Sequence, residues 1–167
     1  MLPPTLPVDE HGAHPLSGWE IERALHGMVT VRSPRLPSPK HPGIYVYNTR
    51  LPEETSTLVP GHWVAVCIPH GGERAEFFDS YGRHPSAYGN WTVDLMNGTG
   101  KSTWVYNNVP LQGFASFMCG HYVTAYCGFR LMGWSMEEYV DLFDPGTPLM
   151  NDSIIVQLTL PMLNRNY

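Results

Sequence analysis

Residues 111–121 read LQGFASFMCGH, and this stretch decides the fold prediction. Cys119 stands before a small residue and an apolar run, a pattern that predicts a buried helix beginning at the thiol. The unpaired N–H groups and the macrodipole at a helix N-terminus favour a thiolate. Gln112 precedes the cysteine closely enough for its side-chain amide to return to the same place. The stretch therefore indicates either a nucleophilic cysteine or a small buried core residue, since free cysteines are usually buried.

The composition predicts one domain that spans residues 1–167. A hydrophobic fraction of 43% with 12% aromatic residues argues against disorder. Prolines are frequent before Pro60, and residues 1–15 are expected to form a proline-rich lead on the surface. The net charge of −5 weighs against electrostatic binding of nucleic acid. No apolar run approaches about 18 residues and no signal-peptide pattern is present, so we expect a soluble, unsecreted protein without a membrane partner.

The periodicity of the chain predicts a mixed set of helices and strands. Capping boxes of the form S-x-x-E at residues 17–20 and 135–138 predict two short helices, one over about residues 18–25 and one that ends at about Phe143. Residues 29–41 are expected to be a loop because of their prolines, and residues 85–100 a mobile crossover with a short helical turn. The tail, residues 151–164, could be helix or strand, and we choose helix. Strands are predicted at Gly43 to Asn48, Trp63 to Ile68, Ala75 to Asp79 and Thr103 to Tyr106.

The two middle strands have a consequence for chemistry. Residues 63–68 are apolar on both faces, as in a central strand, and the turn at residues 70–73 predicts that residues 75–79 are its antiparallel partner. This pairing would bring His62, at the start of one strand, beside Asp79, at the end of the other. A histidine and a carboxylate are therefore expected to meet at one edge of the sheet.

Four residues supply what acyl transfer by a cysteine requires. The reaction needs a thiolate, an imidazole that delivers a proton to the leaving amine, a carboxylate that orients the imidazole, and donors for the oxyanion. Cys119, His62, Asp79 and Gln112 are candidates for these roles in that order. The structural alternative is that all four are ordinary core or surface residues.

The order and spacing of these elements resemble a known family. Residues 61–63 (GHW), 78–82 (FDSYG) and 112–120 (QGFASFMCG) together resemble the adenovirus endopeptidase, adenain, and its relatives in other DNA viruses and in Maverick/Polinton elements. A more distant resemblance is to the SUMO-specific proteases of the same clan. The resemblance covers about residues 16–143. Adenain has Glu where this chain has Asp79, whereas the SUMO proteases have Asp.

The resemblance implies an α+β fold with papain-like site geometry, in which a central mixed sheet packs against a buried helix that begins at the nucleophile. It implies a Cys119–His62–Asp79 triad with Gln112 and the Cys119 N–H as oxyanion donors. Trp63 is expected to pack over the site, although it could equally be an ordinary strand aromatic. Gly61 and Gly120 are expected, with Trp63, to contact substrate.

The resemblance also implies a function, a location and partners. We expect a thiol endopeptidase that cleaves viral or element-encoded precursor proteins during particle maturation, as a monomer inside the host cell, in the nucleus and in the virion. No cofactor or metal is expected. Adenain is basic and is stimulated by DNA and a viral peptide; because this chain is acidic, DNA stimulation is doubtful, whereas an activating peptide stays open. An isopeptidase for ubiquitin-like modifiers and a non-catalytic binding module are the alternatives.

Other motifs in the sequence give weaker evidence for a function. Residues 98–102 (GTGKS) match only the end of a phosphate-binding loop, since the first glycine of that motif would fall at Leu95. Cys119, His121 and Cys127 have no zinc-site spacing. Cys67 and Cys127 are expected to pack in the core, and the odd number of cysteines without a C-x-x-C pair predicts a reducing compartment.

Overall fold

A computed structural model describes residues 13–56 and 61–164 as a five-stranded mixed sheet with helices on both faces. The strands are β1 (Thr30–Val31), β2 (Gly43–Asn48), β3 (Trp63–Ile68), β4 (Arg74–Phe78) and β5 (Thr103–Tyr106). The α-helices are α1 (Gly18–Ala24), α2 (Asn90–Asn97), α3 (Cys119–Leu131), α4 (Met136–Val140) and α5 (Pro148–Asn164). Two 3-10 helices cover Pro52–Glu54 and Pro85–Tyr88. None of the helices in this described part is long and apolar enough to cross a membrane.

The sheet has the order β1-β2-β3-β4-β5, with β3 at its centre. β3 is antiparallel to both of its neighbours, whereas the outer pairs β1–β2 and β4–β5 are parallel. This arrangement confirms the prediction of a central β3 and of an antiparallel β3–β4 hairpin. The expectation of a mixed sheet with packed helices is also confirmed.

The two faces of β3 are buried by different elements. Ala65 and Cys67 belong to the larger core, which includes the buried side chains of α3. Val64, Val66 and Ile68 belong to a second core on the opposite face, together with Leu95 and Met96 of α2. Because both faces of β3 are buried, its sequence is an uninterrupted apolar run.

Helix α3 is the buried helix of the larger core. Its residues from Gly120 to Cys127 are all buried, and it contacts β3, α1, α4 and α5. At its C-terminal end, Arg130 Nε donates to Glu76 Oε2 of β4 over 2.9 Å, and the Tyr126 hydroxyl donates to the same oxygen over 2.8 Å. The helix is therefore fixed to the sheet by packing along its length and by a charged contact near its end.

Both capping boxes form as predicted. The Ser17 and Ser135 hydroxyls accept from the N–H groups of Glu20 and Glu138, and each glutamate accepts from the N–H of its serine. The tail is helical, as predicted, although α5 starts at Pro148 rather than at Asn151. Helix α4 ends at Val140, three residues before its predicted end at Phe143.

Two expectations for irregular segments were wrong. Within residues 29–41, Thr30 and Val31 pair with Tyr45 and Val46 of β2, because the prolines of this segment begin only at Pro34. Residues 85–100 are not an irregular crossover: they form a 3-10 helix and the two-turn helix α2, which packs on the sheet. Of the expected lead at residues 1–15, residues 1–12 lie outside the described part of the chain.

Candidate active site

The ends of β3 and β4 bring His62 and Asp79 together at one edge of the sheet. Ala65 of β3 pairs with Phe78 of β4, so the residue before β3 and the residue after β4 lie at the same edge. His62 Nε2 lies 2.6 Å from Asp79 Oδ1. The predicted histidine–carboxylate contact is therefore present in the structure.

Asp79 is completely buried and is surrounded by hydrogen-bond donors. Oδ1 accepts from His62 and from the N–H of Tyr81 over 2.9 Å. Oδ2 accepts from the Tyr88 hydroxyl over 2.6 Å and from the N–H of Arg83 over 3.2 Å. Burial raises the pKa of Asp79, but the hydrogen bond and positive charge of His62, with those other donors, outweigh it and lower the pKa. The carboxylate is therefore held in its charged form.

The imidazole of His62 is enclosed by aromatic rings. Tyr81 and Tyr88 stack with it at centroid distances of 4.8 and 5.5 Å. Burial lowers the pKa of His62, but the hydrogen bonds to Asp79 and Cys119 and the charges of both partners raise it to about 9. Because Asp79 occupies Nε2, the other ring nitrogen is left for the thiol. His62 is therefore held as an imidazolium between a carboxylate and a cysteine.

Cys119 is the first residue of α3, and its side chain is partly exposed. Burial raises the pKa of its thiol, but the hydrogen bond and charge of His62, together with the backbone N–H groups of Trp63 and Gly120, lower it. The predicted placement of the thiol at a helix start is confirmed. A thiol of lowered pKa beside an imidazole of raised pKa favours the thiolate–imidazolium pair, which is the reactive form of a cysteine nucleophile.

Gln112 lies close to this site and is tightly held. Ser80 Oγ donates to its Oε1 over 2.6 Å, and its Nε2 donates to the carbonyl of Ser116 over 2.9 Å. The N–H groups of Leu111 and Gln112 both donate to the Ser80 carbonyl, which fixes the start of the segment that leads to Cys119. Ser116 lines the cavity at Cys119, so the Gln112 amide is hydrogen-bonded to a residue of the cavity wall. Its role as an oxyanion donor stays a prediction.

The three residues predicted to contact substrate have different surroundings. Gly61 and Trp63 line a cavity of about 100 Å³ that also reaches His62 and Cys119. Trp63 donates its indole N–H to the Leu16 carbonyl over 2.8 Å. Gly120 is buried instead, and an added Cβ there would lie 3.0 Å from Leu16 Cβ and 3.2 Å from Trp63 Cδ1. Gly120 therefore allows Trp63 to pack on the first turn of α3, and contact with substrate stays a prediction.

Two residues that hold Asp79 escaped the sequence analysis. Tyr88 lies in the segment expected to be a mobile crossover, so its bond to the carboxylate was not anticipated. Asn107 follows β5, and its side chain binds both the N–H and the carbonyl of Asp79, over 2.9 and 2.7 Å. The parallel pairing of β4 and β5 places Asn107 there, and a polar residue just after a predicted strand was the available signal.

The other two cysteines, Cys67 and Cys127, are buried and have raised rather than lowered thiol pKa values. Burial, with the negative charge of Glu76, raises the pKa of Cys67, and burial raises the pKa of Cys127 above the usual thiol range. Neither resembles a nucleophile. Across residues 13–56 and 61–164, no group of three histidine, cysteine or acidic side chains could hold a metal ion.

Comparison with known proteins identifies the fold. No family model and no curated protein matches the chain. Two crystal structures of the ASFV pS273R protease are similar: one at 20% identity over 70% of this chain and 41% of that one, with a TM-score of 0.44. The other is the selenomethionine form, at 15% identity over 86% of this chain and 67% of that one, with a TM-score of 0.53. The second similarity shows that this chain has the fold of a viral protease.

The chain spans less than half the length of the first of these structures. Within the fold that the second similarity shows, Cys119, His62 and Asp79 lie together at one edge of the sheet.

Proposed function

We propose that this protein is a cysteine endopeptidase of the adenain type that cleaves viral or mobile-element precursor proteins. The observation that carries the proposal is the hydrogen-bonded series from Cys119 to His62 to the buried Asp79. It combines a thiol of lowered pKa with an imidazole of raised pKa, which are the two reactive groups that amide cleavage requires. The shared fold supports a protease, and the motif spacing supports the adenain family.

The reaction begins when the Cys119 thiolate attacks the scissile carbonyl carbon. A C–S bond forms and the carbonyl π electrons move onto oxygen. As the first residue of α3, Cys119 has an N–H without a partner inside the helix, so this group is available to the oxyanion. Gln112 is the second donor in this proposal, through an Nε2 hydrogen that the Ser116 carbonyl does not take.

Collapse of the intermediate breaks the C–N bond. His62, protonated near neutral pH, gives its proton to the leaving amine and becomes neutral. It then takes a proton from water, which attacks the thioester and releases the acid product and the thiolate. Asp79 keeps the ring oriented throughout through Nε2. The cavity at Cys119, of about 100 Å³, favours a small residue at the carbonyl that is attacked.

The biological setting is part of the same proposal. The substrates are precursor proteins encoded with the enzyme, cleaved inside the host cell, in the nucleus and in the virion. The protein acts as a monomer without a metal or nucleic acid, and an activating peptide is the one partner that the proposal leaves open. The net charge of −5 supports independence from DNA.

The experiment is mass spectrometry of precursor proteins, encoded in the same genome, after incubation with the purified full chain. We expect new termini at a small set of sites, and none with the Cys119→Ala or His62→Ala variant. Uncleaved precursors, or cleavage that persists in Cys119→Ala, would contradict the proposal. An isopeptidase would instead react with a ubiquitin-like vinyl sulfone and leave the precursors intact.

A further inference from the structure

A second and larger cavity opens beside the candidate active site. It has a volume of about 400 Å³ and lies between the start of α1, the residues after β1, and residues 48–55. Leu16 and Trp63 line both this cavity and the small one at Cys119. A peptide that lies across the thiol and continues over Trp63 would therefore reach the larger cavity within a few residues, at roughly 3.3 Å per extended residue.

The wall of this cavity carries two arginines, Arg32 and Arg50. No carboxylate forms an ion pair with either of them within residues 13–56 and 61–164. The nearby acidic side chains have other partners: Glu22 accepts from the N–H of Val31, Glu53 binds Arg35, and Glu54 accepts from the N–H of Leu51. Arg32 and Arg50 therefore give this wall positive charge that no carboxylate of the described residues neutralises by an ion pair.

Arg32 is held in position by contacts with two neighbours. Its Nη2 donates to the Pro37 carbonyl over 2.6 Å. Its Nε is buried, and a hydrogen bond and the positive charge of Arg32 act on the buried hydroxyl of Tyr47. These contacts fix the guanidinium, so an anion that enters the cavity would meet a positive charge that is already in place. A preorganised guanidinium of this kind suits a carboxylate.

The rest of the lining restricts what the anion can be attached to. Leu16, Val31 and Trp63 give the cavity an apolar side that would cover the methylene groups of a side chain. We infer that the Arg32–Arg50 cavity is a specificity subsite that takes a glutamate or aspartate side chain of the peptide being cleaved at Cys119. The inference rests on the proposed function and adds a substrate class to it. Neither arginine touches the reacting atoms, so both determine specificity rather than chemistry.

The test begins with a peptide library that is digested by the full chain and read by mass spectrometry. The best sequence is then made as fluorogenic peptides with Glu, Gln or Lys at the subsite position. We expect kcat/KM for Glu to exceed that for Gln by about tenfold or more and that for Lys by a larger factor, because a charge-assisted bond replaces a neutral one. About 0.5 M NaCl should reduce this preference.

Variants assign the preference to the two arginines. Arg32→Gln and Arg50→Gln should each reduce the Glu-over-Gln ratio severalfold, and the double Arg32→Glu/Arg50→Glu variant should prefer Lys. Arg74→Gln, which removes an exposed charge on β4, is the matched control and should leave the ratio unchanged. The rate of Cys119 alkylation by iodoacetamide reports whether each variant keeps its site. If Arg32→Gln fails this check, the exposed Arg50 still tests the inference.

The inference and the proposed function can fail separately. The subsite would be overturned by cleavage without any preference for Glu or Asp, or by a preference that both Gln variants retain. Either result would leave the proposed protease activity standing. Affinity selection of a random heptapeptide library on Cys119→Ala tests binding without turnover. Enrichment of acidic residues at one position, lost in Arg50→Gln, would support the subsite even if the wild type cleaves nothing, and no enrichment would overturn it.

Discussion

The two ends of helix α3 each join a buried carboxylate of the β3–β4 hairpin to a cation, yet they differ in chemistry. At the C-terminal end, Glu76 binds Arg130 and Tyr126. At the N-terminal end, Asp79 binds His62, which contacts Cys119. Arginine stays protonated at any physiological pH, whereas a histidine with a pKa of about 9 can exchange its proton near neutrality. The first pair can only hold the helix, and the second can also transfer protons.

The surroundings of the two carboxylates sharpen this difference. Glu76 is approached by two side chains, and no thiol of lowered pKa lies beside it: the neighbouring Cys67 has a raised pKa. Asp79 is held by four donors, and its histidine leads to a partly exposed thiol on the wall of a cavity. A buried ion pair alone is thus weak evidence for function. A titratable pair that ends at a solvent-accessible nucleophile is strong evidence.

The largest effect is expected from Asp79→Asn. The change keeps the shape of the side chain but removes the charge that orients His62 and raises its pKa, so kcat/KM should fall about a thousandfold, or about 4 kcal/mol. In the wild type the alkaline limb of the pH–rate profile should lie near pH 9, where His62 loses its proton. In Asp79→Asn this limb should move to lower pH, and a variant that keeps the limb near pH 9 would contradict the assigned role.

The raised pKa of His62 also makes the stability of the protein depend on pH. Because the folded pKa of His62 is raised from 6.5 to about 9, the stabilisation from its charge is complete below pH 6.5 and is lost as the pH rises through about 9. Urea unfolding of the wild type across this range should show the loss, and Asp79→Asn should show a smaller one.

The second-largest effect is expected from a change at the C-terminal end of α3. Glu76→Gln leaves Arg130 without its counter-ion in a mostly buried place, so the free energy of unfolding should fall by about 3 kcal/mol. Activity per folded molecule should change little, since Glu76 is not in contact with the site. Glu137→Gln, which removes an exposed pair with Arg74 at 3.8 Å, is the control and should change stability by about 0.5 kcal/mol or less. Loss of activity without loss of stability in Glu76→Gln would overturn the comparison.

The smallest effect is expected from Tyr88→Phe. This change removes one of the four donors to Asp79 but keeps the ring beside His62. One hydrogen bond to a charged group is worth about 1.5 to 3 kcal/mol, and three donors remain, so kcat should fall roughly fivefold to tenfold with KM unchanged. Tyr45→Phe, whose hydroxyl binds the His41 carbonyl away from the site, is a matched control. Equal losses in the two variants would show that Tyr88 has no special role.

Much of this arrangement could be predicted from the sequence. The bounds of β2, β3 and β5 and the start of α3 follow from periodicity, since each of these elements has a clear apolar pattern. The meeting of His62 and Asp79 follows from the hairpin alone, because antiparallel pairing brings the start of one strand to the end of the next. These features depend on local pattern and on one short turn.

The rest depends on tertiary packing. Helix α2 begins after Gly89, which has a φ of 105° and offers no side-chain cap, and it contains few strong helix formers. It forms because Leu95 and Met96 are buried against the second face of the sheet. Tyr88 and Asn107 reach Asp79 only once that crossover is folded, and Gln112 is positioned by Ser80, a contact between segments far apart in sequence. No local pattern encodes such contacts.

The central claim is that Cys119 is a thiolate paired with His62. The direct measurement is the rate of alkylation by iodoacetamide at each cysteine from pH 5 to 9, followed by mass spectrometry in the wild type and in His62→Ala. We expect Cys119 to react far faster than Cys67 and Cys127 at pH 7. Between pH 8 and 6 its rate should fall much less than that of a free thiol, which slows about a hundredfold, and His62→Ala should restore the steep dependence. A wild-type Cys119 with the pH dependence of a free thiol, or equally slow labelling of all three cysteines, would contradict the account.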